Sequence, residues 1–212
     1  NGLNSDRIPG TERHLISLQY SDSAFLGQEL VGQVYYRDES LRFYPFPTVN
    51  ANKQVTAFSS SQQDTDQYGM KLTLNSKPMD GWQITWGLDA DHERFTSNQM
   101  FFDLAQASAS GGLNNKKIYT TGRYPSYDIT NLAAFLQSGY DINNLFTLNG
   151  GVRYQYTENK IDDFIGYAQQ RQIAAGKATS ADAIPGGSVD YDNFLFNAGL
   201  LMHITERQQA WL

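Results

Sequence analysis

The sequence predicts an all-β chain, an antiparallel up-and-down meander that forms a section of a transmembrane β-barrel wall. Three observations predict it. Seven segments alternate apolar and polar residues with period two, as strands between two different environments do. The connections between those segments alternate strictly between short and long. Aromatic residues close both ends of the apolar faces.

The segments run as follows, apolar parity first. Ile16, Leu18 and Tyr20 stand against Ser17 and Gln19, after an opening "NGLNSDRIPG" that reads as a loop. Leu30, Gly32, Val34 and Tyr36 oppose Gln33, Tyr35 and Arg37. Tyr68, Met70, Leu72 and Leu74 oppose Gln67, Gly69, Lys71 and Thr73. Trp82, Ile84, Trp86, Leu88 and Ala90 oppose Gln83, Thr85, Gly87, Asp89 and Asp91. Leu132, Ala134, Leu136 and Tyr140 oppose Phe135, Gln137 and Gly139. Phe146, Leu148, Val152, Tyr154 and Tyr156 oppose Thr147, Asn149, Arg153, Gln155 and Thr157. Phe194, Phe196, Ala198, Leu200, Met202 and Ile204 oppose Asn197, Gly199 and His203, and an eighth segment opens at Ala210. The best helical period lies in "YAQQRQIAAGKA", Tyr167 to Ala178, which reads as a short loop helix.

Short connections fall at 21–29, 75–81, 141–145 and 205–209, and long ones at 38–66, 93–127 and 158–190. Structureless loops of that length count against a compact soluble domain. Long loops at one end of a meander and tight turns at the other are the pattern of outer-membrane barrels. On the apolar parity Tyr20, Trp82, Tyr140 and Phe146 adjoin short turns, and Tyr36, Tyr68, Tyr156 and Phe194 adjoin long loops. Aliphatic residues lie between. Two such girdles are expected where a wall crosses both interfaces of a bilayer. The apolar face then meets lipid, and the face carrying Arg153 lines a wet lumen, where a charge costs little.

Composition narrows the function. The chain of 212 residues has a formal net charge of -6, which disfavours nucleic-acid binding. It has no cysteine, hence no disulfide, thiolate metal site or cysteine nucleophile. No apolar run reaches the length of a membrane helix. No nucleophile elbow, phosphate-cradling loop or His-Glu-x-x-His run is present, so no enzyme is expected. Both ends read as cut, and a piece of a longer protein is expected.

The stretch "NLAAFLQSGYDINNLFTLNGGVRYQYTEN" resembles the strand–turn–strand of TonB-dependent outer-membrane receptors, on Phe135, Gln137, Leu148, Gly151, Arg153 and Tyr154. The resemblance implies a section of a barrel of about 22 strands. It also implies an N-terminal plug that this chain lacks, a ferric siderophore as ligand and energy from the TonB complex. The iron(III)–siderophore complex is cargo, and no resident cofactor is expected. Bacteriocins or phage at the loops are further partners the resemblance suggests. Rival readings are another outer-membrane barrel, adhesin, porin-like or enzymatic, and a soluble β-sandwich module.

A ferric siderophore with citrate and hydroxamate groups is anionic, so cations among aromatics are the expected binding chemistry. Of the long loops, only 93–127 is net positive, with Arg94, Lys116, Lys117 and Arg123 against Glu93 and Asp103. Lys116, Lys117, Tyr119, Arg123, Tyr124 and Tyr127 are the first candidates. Arg42, Phe43, Tyr44 and Phe46 in "LRFYPFP" are the second. The competing reading makes them solvated loop residues. "DADHERF" places Asp89, Asp91 and Glu93 on one face, but it lacks calcium-loop spacing. A lumen wall with each acid paired to a Lys or Arg is expected there instead.

Overall fold

The computed structural model describes residues 9–205 and 208–212. It is one antiparallel sheet. The strands are β1 (Pro9–Phe25), β2 (Gln28–Val49), β3 (Val55–Met79), β4 (Trp82–Phe102), β5 (Lys117–Gly122), β6 (Tyr127–Asp141), β7 (Phe146–Ile161), β8 (Gly187–Thr205) and β9 (Gln208–Trp211). Their order is β1-β2-β3-β4-β6-β7-β8-β9, with β5 on the far end of β4. Two helices, α1 (Leu104–Ala109) and α2 (Tyr167–Ala174), interrupt the connections.

The tight end is built from local turn chemistry. Leu26 and Gly27 both take positive φ, +49° and +79°, and join β1 to β2 in two residues. Asp80 and Gly81 join β3 to β4, with Gly81 at φ +75°. Between β6 and β7 the Asn143 carboxamide accepts from the backbone N–H groups of Leu145 and Phe146, at 2.8 and 3.0 Å. Of the opening stretch read as a loop, residues 1–8 fall outside the described residues and Pro9 and Gly10 already belong to β1, paired with Phe43 and Arg42; part of the turn at 205–209 also falls outside them.

Above the expected membrane span, the structure departs from the sequence reading. The connection 38–66 is not a loop. β2 and β3 stay paired up to Val49 and Val55, leaving only residues 50–54 as the turn. The connection 93–127 holds about the second half of β4, then α1 and β5. The pattern failed because the extended strands carry "SSSQQDTDQ", polar on both faces, and alternation disappears when neither face meets lipid. Within Tyr167–Ala178 the helix is α2, ending at Ala174 before Gly176 at φ +69°.

Burial is inverted relative to a globular sheet. The described residues with the least exposure, including Phe101, Ser59, Ser61, Ala107, Gln99 and Thr121, gather in these extensions. The apolar parity of the lower strands stays open, with Leu18 71% and Phe196 78% exposed. A continuous exposed apolar face of this extent needs a nonaqueous partner. Of the girdle residues, Tyr20, Tyr36, Tyr68, Tyr140 and Phe194 are exposed on this face, and Trp82, Phe146 and Tyr156 are half-buried. Their polar ends find partners: Trp82 Nε1 donates to Ser138 Oγ at 2.9 Å and Tyr36 Oη to Asp66 at 2.5 Å.

The polar face is laced across strands. Arg153 on β7 reaches over β6 to Asp89 on β4, with Nη1 2.7 Å from the carboxylate. Small Ala133 and the ring of Phe135, 5.9 Å from the guanidinium carbon, make its path. The end of the Phe135 ring in turn packs against Gly87, where a Cβ would collide with Leu72 O and meet the ring at 2.7 Å. Tyr35 covers Gly69 in the same way. These are aromatic rings filling the gap left by a strand glycine.

Candidate functional site

The site forms where β4 runs past β6. Along β4 the parity of Asp89 continues without a bulge through Glu93, Phe95, Ser97, Gln99 and Phe101. Cross-strand partners share a face. Ser61 of β3 therefore lies beside Gln99, and Ser59 beside Phe101. From β5, Thr121 lies beside Gln99 and Tyr119 beside Phe101. Gln99 Nε2 donates to Ser59 Oγ at 2.8 Å, and its oxygen accepts from Arg123 Nη1 at 3.5 Å.

α2 lies across this patch. Gln170 Oε1 accepts from the Gly122 N–H at 2.7 Å and ties the helix to β5. Gly122 lets the helix sit close, since a Cβ would stand 3.1 Å from the Phe164 ring and 3.2 Å from the Gln170 amide and would press both outward. Tyr167 and Arg171, four residues apart, project from one side of the helix. The Arg171 guanidinium carbon sits 4.8 Å from the Phe101 ring centre and 5.9 Å from that of Tyr167. Phe101 also contacts the Tyr119 ring at 4.8 Å and the Tyr167 ring at 6.0 Å. The floor is thus three aromatic rings, and the Arg171 guanidinium stands over it.

The electrostatics of the patch are unbalanced. Four other arginines have acids, Arg13 with Glu39, Arg37 with Glu93, Arg94 with Asp128 and Arg153 with Asp89, while Arg42 has none among the described residues but is exposed to solvent. Among the described residues, no carboxylate lies within ion-pair distance of Arg123 or Arg171. The Nε atoms of both are buried without a hydrogen-bond partner, as are Ser61 Oγ and Thr121 Oγ1. Burial pushes the Tyr167 phenol above its ordinary value, and the positive charges of Arg171 and Arg123 oppose that rise. Arg123 bonds to Gln99, which neighbours Phe101 on the same face of β4, and Arg171 covers Phe101 itself. A half-buried cation without a counter-charge is costly, because it gives up water and gains no partner.

The sequence-derived candidates divide. Tyr119 and Arg123 are in the cluster, and the exposed Tyr124 ring lies 5.2 Å from the Arg123 guanidinium carbon. Tyr127 stacks on Phe95 at 4.7 Å, lower on the same face. Lys116 and Lys117 are exposed, and Lys117 pairs with Phe102, on the parity opposite Phe101. Arg42, Phe43, Tyr44 and Phe46 do not form one set, because they belong to a strand. Arg42 and Tyr44 are exposed on one face. A register shift between Phe43 and Phe46 keeps those two on the other, opposite Ser61 and Ser59.

Gln99, Phe101, Tyr167 and Arg171 were missed. The spacing of Tyr167 and Arg171 in a helical stretch was the available signal. In "DADHERF", Asp89 and Glu93 do pair with arginines, but Asp91 accepts from the Asn131 amide at 3.0 Å instead of from a cation. A neighbouring strand offers Asn at that rung. No metal-binding group of His, Asp and Glu occurs among the described residues.

An open antiparallel wall with one apolar and one laced polar face, and structured extensions at one end, has relatives. The model of the TonB dependent receptor-like β-barrel matches residues 2–211. The chain belongs to this family. Its wall is therefore that of an outer-membrane barrel, and the polar face lines the lumen. Over all 212 residues it is 94% identical to the ferric aerobactin receptor of Escherichia coli, covering 29% of that protein. Over 210 residues it is 44% identical to the rhizobactin receptor of Rhizobium meliloti (strain 1021), covering 28% of it. The chain thus spans less than a third of these relatives. Among solved structures it is similar to the copper transporter OprC, with TM-score 0.66, 15% identity and 92% of this chain and 28% of that one covered. It is also similar to the unliganded ferric citrate transporter FecA, with TM-score 0.63, 14% identity and coverage of 96% and 27%. At such identity these structures speak to the fold.

Proposed function

We propose that this section belongs to an outer-membrane receptor that imports ferric aerobactin with energy delivered through TonB. The observation that carries the reading is the 94% identity to a ferric aerobactin receptor along the whole chain. Chemistry supports it. The extracellular end of the lumenal face presents cations over aromatic rings, suited to an anionic iron complex bearing carboxylates. The aromatic residues at both ends of the apolar face, exposed or half-buried, suit the two bilayer interfaces, so that Tyr20, Trp82, Tyr140 and Phe146 form the periplasmic girdle. Tyr36, Tyr68, Tyr156 and Phe194 form the outer one. The plug and the TonB-contacting segment belong to the remainder of the receptor.

The test is growth on ferric aerobactin as sole iron source. Cells lacking other siderophore receptors would carry the full-length receptor that contains this section. Growth that requires both the receptor and TonB is the expected result. Growth on an unrelated ferric siderophore, and none on ferric aerobactin, would reject the ligand assignment.

A further inference from the structure

We propose that Arg123 of the β5–β6 connection and Arg171 of α2 form a two-guanidinium site for the carboxylates of the ferric ligand, roofed over the Phe101–Tyr119–Tyr167 aromatic floor. The inference rests on the aerobactin-receptor reading and adds the chemical group recognised and the element that supplies half of the site.

Four observations converge. Both guanidiniums lie against aromatic rings, at 5.2 Å for Arg123 on Tyr124 and 4.8 Å for Arg171 on Phe101. Both are half-buried and neither has an ion-pair acid among the described residues, whereas Arg13, Arg37, Arg94 and Arg153 have one and Arg42, which has none, is exposed. The Nε of each is buried without a hydrogen-bond partner, as is that of Arg37, whose charge Glu93 answers. Two hydroxyls on the same face, Ser61 Oγ and Thr121 Oγ1, are buried and unpartnered as well. Donors left unmatched in this way are expensive unless a ligand arrives. Carboxylates answer the guanidiniums: each is planar, accepts two parallel N–H bonds from one guanidinium and neutralises its charge. The rings below would pack the ligand's methylene segments.

The site is composite. Arg123 is anchored through Gln99 of β4, and Arg171 arrives on a helix whose seat depends on Gln170 and Gly122. Exposed Lys116 and Lys117 lie outside it and serve as the internal control.

The experiment measures the affinity of the purified full-length receptor for ferric aerobactin and for the same complex with its free carboxylates esterified. The receptors are wild type, Arg123→Gln, Arg171→Gln, Arg171→Lys and Lys116→Ala/Lys117→Ala. Folding of each is followed by heat-modifiable gel mobility. Wild type is expected to bind the esterified complex at least tenfold more weakly. That comparison needs no variant to fold. Each glutamine variant should lose at least tenfold toward the native complex and less than threefold toward the ester. Arg171→Lys should fall between, and the lysine pair should bind as wild type does. Equal losses toward both ligands would mean that the arginines only support the loops, and would overturn the site. Unchanged affinity in both glutamine variants would overturn it too. If the wild-type receptor bound no ferric aerobactin, the receptor reading itself would fall, and this site with it.

Discussion

At the scale of single residues, the wall is most sensitive where it has no side chain. Gly87 accepts the Phe135 ring and sits against Leu72 O, so even a methyl group has no room. Gly87→Ala in the full-length receptor is expected to reduce assembly, read as loss of the heat-modifiable folded band. Gly150, with its nearest contact at 3.8 Å, is the matched control, and Gly150→Ala should assemble normally. The two faces also differ in their tolerance of charge. Leu88→Arg would place a guanidinium toward lipid near the middle of the span and should cost roughly 2–4 kcal/mol in a urea titration of the receptor folded in liposomes. Gln155→Arg, on the face that already holds Arg153, should lie within about 0.5 kcal/mol of wild type. Which of two adjacent residues faces lipid was legible directly from the sequence, because period-two alternation is a property of the strand itself. The partner of Arg153 was not, since it lies two strands away over Ala133.

At the scale of elements, the informative unit is the set of strand extensions and the helix laid on them. Their buried serines, Ser59, Ser60 and Ser61, pack closely because they are small, and Gln99 satisfies one of them. Gly122→Val would push Phe164 and Gln170 away from β5 and so unseat α2. The expected result is a normally assembled barrel with weakened ferric aerobactin binding. Faster proteolysis within residues 162–186 should accompany it, measured by limited digestion of intact cells. A variant that bound normally with α2 released would show that the helix takes no part in the site. The extensions escaped the sequence reading for a physical reason. Alternation reports a difference between two environments, and above the membrane both sides of the strand are wet or covered by polar chain. The turns at the other end were legible because Asp80–Gly81 and the Asn143 side chain act locally.

At the scale of the whole molecule, the described sheet has two free edges, along β1 and β9. Unpaired backbone groups have no partner in hydrocarbon, so an open sheet is not stable there. The 212-residue section expressed alone is expected to collect in inclusion bodies and to show no heat-modifiable band in detergent. The full-length receptor should refold under the same conditions. A folded, detergent-soluble monomer of the section alone would contradict this account of the wall.

The sequence by itself determined the class of structure: strands, their two faces, the end with tight turns and a cationic tendency in residues 93–127. Each of these depends on residues within a few positions of one another. Only the tertiary structure decided which cations meet. It drew Arg123 toward Arg171, 48 positions along the chain, by laying α2 on β5, and it split Arg42 from Phe43 across a strand. Pairing between distant segments depends on strand register and on one helix's seat at a glycine, and neither is encoded in any local pattern.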